Sequence, residues 1–165
     1  MGEAGETYWA AIEPYWDAFD IYTAEGFRRS IAAVPDYVVH LLAVHWMSSE
    51  IYNGGLHQFF GNNTGILAPE ALQGLQVMGL FEQAEIIAQA ISLFPSPYPR
   101  DRKLRSRVLD TLATGPRDGT DRNTWNPFYD LDERFFAVND VHGFEPAADT
   151  YTVQQLRRLA HQKSD

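Results

Sequence analysis

The stretch Glu50-Ile51-Tyr52-Asn53-Gly54-Gly55-Leu56-His57-Gln58-Phe59-Phe60-Gly61-Asn62 concentrates the side chains best able to bind or react. Glu50, Asn53, His57, Gln58 and Asn62 could line a polar pocket, which would make the chain an enzyme or a small-ligand binder. The same residue types also satisfy orphan groups at helix ends, and two adjacent glycines permit a tight backbone reversal. On that second reading Phe59 and Phe60 plug the core, and the segment is a hydrogen-bonded helix–turn–helix joint. Amides are typical turn and cap groups, so the joint is the weightier of the two readings.

Other chemistries find less support. The chain has no cysteine, which excludes disulfides, thiol nucleophiles and every cysteine-based metal site. His40 and His45 lie five positions apart, about 140° round a helix, so they do not share a face for a metal. No spacing of the His-Glu-x-x-His kind, no nucleophile elbow and no phosphate-binding glycine loop is present. No cofactor is expected.

Charge is the second signal. The 165 residues carry a net charge of −9. Residues 1–99 hold 11 acids against two bases, Arg28 and Arg29, and so account for all of it; residues 100–165 hold 11 of each. Such a field repels nucleic acid and anionic membranes and attracts a basic protein. On a helix, Glu13, Asp17 and Asp20 would stand about 6 and 4.5 Å apart along the axis, against ~3.4 Å per phosphate along a DNA strand. Joined by Glu6, Glu25, Glu82 and Glu85 from neighbouring helices, this sparse stripe could meet a DNA-binding surface. The plainer alternative is a solvated face that keeps the protein soluble. The basic cluster Arg100, Arg102, Lys103, Arg105 and Arg107 is expected to pair with the acidic half, within the chain or across a homodimer.

The elements that must position these groups are helical, with no convincing strand alternation. Trp9, Ile12, Trp16 and Phe19 form one apolar face, with Pro14 inside the pattern. Thr23 caps a short helix. Pro35 and Asp36 open a helix that is apolar nearly all round, from Tyr37 to Ile51, and therefore central and buried. It is expected to stop at Asn53-Gly54-Gly55, followed by a brief helical piece from His57 to Phe60 and a loop at residues 61–65. Pro69 to Met78 and Leu80 to Phe94 make a helix pair separated by Gly79. A helix from Asp101 to Leu112 should pack through Leu104, Val108 and Leu112. Residues Gly115–Asn126 read as a loop, Leu131, Phe135 and Val138 as a helix with Asp132 and Glu133 in its first turn. Thr152 with Gln155 reads as a capping box for a last helix packed through Val153, Leu156 and Leu159. The expectation is one all-α domain over residues 1–165, with about eight helices.

The pattern Glu50-x-x-Asn53-Gly54-Gly55-x-x-Gln58-Phe59-Phe60-x-Asn62 resembles the signature of a bacterial family, formerly a domain of unknown function, that is named for a DNA-mimic protein among its members. The wider order is similar too, down to Leu131-Asp132-Glu133-Arg134-Phe135-Phe136, and the resemblance covers most of residues 20–140. It implies an all-helical fold and, more weakly, DNA mimicry. The motif is uncharged apart from Glu50, so it cannot itself imitate phosphates and is carried over as a fold signature. No basic leader precedes an apolar stretch, and the longest apolar run, Tyr37–Met47, falls short of the ~20 residues that span a bilayer. The resulting expectation is a cytoplasmic binding protein that occupies a basic surface on a transcription factor or a nuclease. Direct nucleic-acid or membrane contact is not expected. A scaffolding module without a ligand is the remaining class.

Overall fold

The structure, a computed structural model, describes residues 4–113, 125–141 and 143–163. The expected loop at Gly115–Asn126 therefore lies, up to residue 124, outside the described residues. The described chain is all helical: α1 (Glu6–Ile12) and a 3-10 turn (Glu13–Tyr15), α2 (Ala24–Ala32), α3 (Asp36–Gly61), a 3-10 segment (Asn63–Leu67), α4 (Ala68–Val77), α5 (Phe81–Ile91), α6 (Arg102–Leu112), α7 (Tyr129–Val141) and α8 (Phe144–Gln162).

Local chemistry explains most boundaries. The Thr23 Oγ1 accepts the Gly26 N–H at 3.0 Å and starts α2. Pro35 stands before α3, and its carbonyl takes the Val38 and Val39 N–H groups. Gly79, at φ +76°, ends α4: its N–H bonds the Gln76 carbonyl and the Leu80 N–H bonds the Leu75 carbonyl, a Schellman closure that needs the left-handed conformation. The Asp101 carboxylate accepts the Leu104 N–H at 2.9 Å and caps α6.

The central helix is α3, as its all-round apolar sequence requires. Val38, Leu41, Leu42, Ala43, Val44, Met47 and Ile51 are fully buried. Its first half packs with α1 and α8 around Tyr8, Ile12, Val34, Ala148 and Tyr151. Its second half packs with α4, α5 and α7 around Phe59, Phe60, Ile66, Ile87, Phe128 and Phe135. Phe19, Ile31, Trp46, Met78 and Phe144 touch both cores. No helix among the described residues is long and apolar enough to cross a membrane.

Four expectations are corrected. Residues Asn63–Leu67 form a 3-10 segment where a loop was expected. The last helix does not start at Thr152: α8 already begins at Phe144, and the buried Thr152 hydroxyl donates back to the Ala148 carbonyl at 2.7 Å. Its inward side is Ala148, Tyr151 and Thr152, while Leu156 and Leu159 are exposed. In α6 the inward residues are Arg105 and Leu109 and Leu104 is exposed, because Arg105 finds buried carbonyl partners. The helical stripe Glu13–Asp17–Asp20 does not form either. α1 ends at Ile12, Pro14 sits in the 3-10 turn, and residues 18–20 are not helical.

Candidate functional site

Glu50 is the hub of the motif. Its Oε2 accepts from Gln58 Nε2 at 2.7 Å and from Asn62 Nδ2 at 3.0 Å, and its Oε1 accepts from the Thr64 hydroxyl at 2.8 Å. In a straight helix residues 50 and 62 would be about 18 Å apart along the axis. One side chain reaches both because α3 is broken between them: Gly54 (φ −157°, ψ 17°) and Gly55 (φ 79°, ψ −179°) are not helical, and helix resumes to Gly61. The expected stop at Asn53-Gly54-Gly55 is thus an interruption, and the segment after it folds back over the Glu50 carboxylate.

The break frees backbone donors that a continuous helix would use. The Leu56 N–H donates to Asp132 Oδ1 at 2.7 Å, and Asn126 Nδ2 donates to Asp132 Oδ2 at 3.1 Å. A carboxylate from α7 therefore caps the second half of α3. A Cβ at Gly55 would stand 2.7 Å from Asp132 Oδ2, so the positive φ and the close approach both require glycine. Asp132, expected as a helix-start acid and part of the family-like order without an assigned role, is buried at 7% exposure.

Arg105 closes the joint from the other side, with its side chain fully buried. Its Nε donates to the Phe60 carbonyl at 2.9 Å, Nη2 to the Asn62 carbonyl at 2.8 Å, and Nη1 to those of Arg100 and Pro99 at 2.7 and 3.3 Å. Burial lowers its pKa from the usual arginine range. Four carbonyl oxygens take the place of a counterion. Phe59 and Phe60 are fully buried, as the joint reading expects. Asn53 is exposed, and among the described residues no side chain bonds its amide.

The pocket reading needs Glu50, Asn53, His57 and Gln58 to face one cavity. A cavity of about 240 Å³ does open beside the joint, lined by His57, Gln58, Gly61, Asn62, Ser106, Leu109 and Asp110. Glu50 and Asn53 do not line it, and the amides of Gln58 and Asn62 are both committed to Glu50. His57 meets the Trp125 ring edge-on at 4.9 Å. Among the described residues no group of His, Asp and Glu side chains is placed to hold a metal ion.

The acids expected to face a partner divide into two sets. Glu6 and Glu13 flank Trp9 on the N-terminal segment, Asp17 follows it, and all three are exposed. Glu82 and Glu85 are exposed on α5, directly after Phe81, itself 69% exposed. Two others are partly spent: Asp20 accepts from the Tyr22 N–H at 2.9 Å, and Glu25 lies 3.8 Å from Arg29. The basic cluster pairs with the acidic half at one point, where Arg100 grips Glu70 with two bonds of 2.6 and 2.9 Å. Arg102 donates to the Gly61 carbonyl instead.

A model of the DMP19-like proteins matches residues 32–155. The chain belongs to the DMP19-like family. The family name denotes a DNA mimic protein. No curated protein and no solved structure matches the chain. The match takes in the joint, α5 and its acids, and α7, and it begins after the segment that carries Glu6, Glu13 and Asp17. Within the family region sequence reasoning missed Asp132, Arg105 and Thr64. Only the glycine pair hinted at them, since a broken helix must find partners for its freed N–H groups.

Proposed function

We propose that this chain is a cytoplasmic protein-binding module that occupies the DNA-binding surface of a basic protein, a transcription factor or a nuclease, in place of nucleic acid. One observation carries the reading: among the described residues, few acids of these faces are taken up in ion pairs with the chain's own bases. The ion pairs formed among the described residues are Arg29–Glu25 and Arg100–Glu70. Arg102 and Arg105 are directed to carbonyls, and Arg134, which lines a pocket with Glu82 and Glu85, bonds the Gln89 amide oxygen, so among the described residues Glu6, Glu13, Asp17 and Glu82 form no ion pair. The family's name supports the same reading.

Each acidic set also has an exposed aromatic residue within four positions of two acids along the chain, Trp9 with Glu6 and Glu13, and Phe81 with Glu82 and Glu85. Arginines that contact bases and phosphates in DNA would meet a π-face and an anion here as well. The test is a titration of a partner captured from the native cell, at low and high salt, with and without its DNA duplex. Binding should fall steeply with salt, because exposed charges are screened over ~8 Å at physiological ionic strength, and the duplex should compete. Glu82→Gln with Glu85→Gln should weaken binding and leave the fold intact, since exposed changes usually alter stability by less than ~0.5 kcal/mol. Binding that ignores both salt and duplex would refute the reading.

A further inference from the structure

The segment before the family match is held on the rest of the chain by an unusual set of contacts. The Asp149 carboxylate of α8 accepts the Gly5 N–H at 2.7 Å and the Tyr8 N–H at 2.8 Å, capping α1 from a distant helix. The other contact centres on His45 of α3. Its Nδ1 lies 3.2 Å from the Tyr8 hydroxyl. Five rings surround the imidazole at centroid distances of 5.4 Å (Trp16), 5.5 Å (Trp9), 6.1 Å (Tyr8), 6.2 Å (Trp46) and 6.4 Å (Phe144). Three of these rings belong to the N-terminal segment.

We propose that residues Gly5–Trp16 are an acid-released clasp, docked while the His45 imidazole is neutral and loosened when it takes a proton. The groups that face His45 are Tyr8 and Trp9 of α1, Trp16 after the 3-10 turn, Trp46 of α3 and Phe144 of α8; none is a carboxylate. The nearby acids Glu145 and Asp149 act on Tyr8: with burial, which is the larger cause, they push its pKa up to about 12. The phenol thus stays protonated and offers no counter-charge. Aromatic faces attract a cation, but these rings cover a half-buried imidazole at interplanar angles of 43–85° and reduce the hydration that its charged form needs.

Burial lowers the His45 pKa from its ordinary 6.5. Above 6.5 the imidazole is neutral in both the docked and the released state, and docking is unaffected. As pH falls below 6.5 the released state gains the proton first, and docking weakens until the pH reaches the docked-state pKa. Each pH unit of that window costs tenfold in the docking equilibrium. The clasp carries Glu6 and Glu13, so its release would reshape one acidic face; that consequence rests on the proposed function, and the release does not.

The test needs no partner. The full chain is titrated from about pH 8 to about pH 5, following the His45 ring and the Trp9 and Trp16 indoles by NMR. His45 should titrate below 6.5, with both indoles changing at the same midpoint. His45→Phe should abolish the transition of the indoles, and His40→Gln should retain it. Titration of His45 with static Trp9 and Trp16, or a transition that persists in His45→Phe, would overturn the proposal. If His45→Phe fails to fold, the coincidence of midpoints in the unmodified chain decides.

Discussion

The joint at the break of α3 and the clasp at its first half are held by opposite means. In the joint, three charged side chains supply the contacts: Glu50 takes three donors, Asp132 takes the Leu56 N–H and the Asn126 amide, and Arg105 reaches four carbonyls. In the clasp, rings pack around one imidazole at tilted and edge-to-face angles, and Asp149 is the charged group that bonds the segment's backbone. Directed bonds to buried charges fix one geometry and fail together, since removing one partner leaves the others unpaired in a desolvated place. Ring contacts draw most of their strength from buried area, tolerate a range of angles and fail gradually. Charge in the joint is consumed inside the molecule, so the acidity that a partner could meet comes from other residues.

Arg105→Met is the strongest way to break that contrast. It preserves volume and leaves the carbonyls of Phe60, Asn62, Pro99 and Arg100 without their donor, so stability should fall by about 3–4 kcal/mol. Denaturant unfolding measures it. Trp16→Ala in the clasp removes a half-buried ring and should cost only about 2 kcal/mol. A larger loss in the clasp would mean that ring area, and not directed bonding, dominates the fold.

The difference between the regions also decides what the sequence could disclose. Boundaries set by one residue's own backbone chemistry were legible: Thr23 as a cap, Pro35 and Asp36 as a start, Gly79 as a stop. The central position of α3 followed from its apolar composition. Periodicity failed where a polar group won the inward position. In α6 the apolar spacing of Leu104, Val108 and Leu112 pointed one way, but Arg105 turned the helix toward carbonyls more than forty positions earlier, at Phe60 and Asn62. The Glu13–Asp17–Asp20 stripe failed because Pro14 takes the chain out of the α-helix, a doubt that spacing alone does not register. The motif was legible as a joint from its amides and glycines. Asp132 and Thr64 were not, because their partners are set by the fold and not by neighbours in sequence.

Glu50→Gln sharpens the comparison at the hub. The substitution keeps shape and places an NH₂ where one carboxylate oxygen accepted a hydrogen bond, so one or more of Gln58, Asn62 and Thr64 loses its acceptor. The expected cost is about 2 kcal/mol in denaturant unfolding. The cost should also be shared: Gln58→Ala added to Glu50→Gln should cost less than the sum of the two, since both remove one bond. Strict additivity would show that Glu50 and Gln58 act independently and that no hub exists.

Tyr8→Phe has the smallest expected effect and tests the clasp from the side of its hydrogen bonds. The ring remains, with its contacts to His45 at 6.1 Å and to Phe144 at 5.4 Å, and only the 3.2 Å bond to His45 Nδ1 disappears. If rings hold the segment, the loss should be about 1 kcal/mol or less, the net worth of one hydrogen bond. The sign of a second readout is fixed by the same bond. With His45 in the tautomer whose Nδ1 accepts from the phenol, the bond favours the neutral imidazole, so deleting the hydroxyl should raise the His45 midpoint while burial still holds it below 6.5. A loss as large as that of Arg105→Met would place the clasp in the same class as the joint, because a directed bond would then be holding what the rings were credited with.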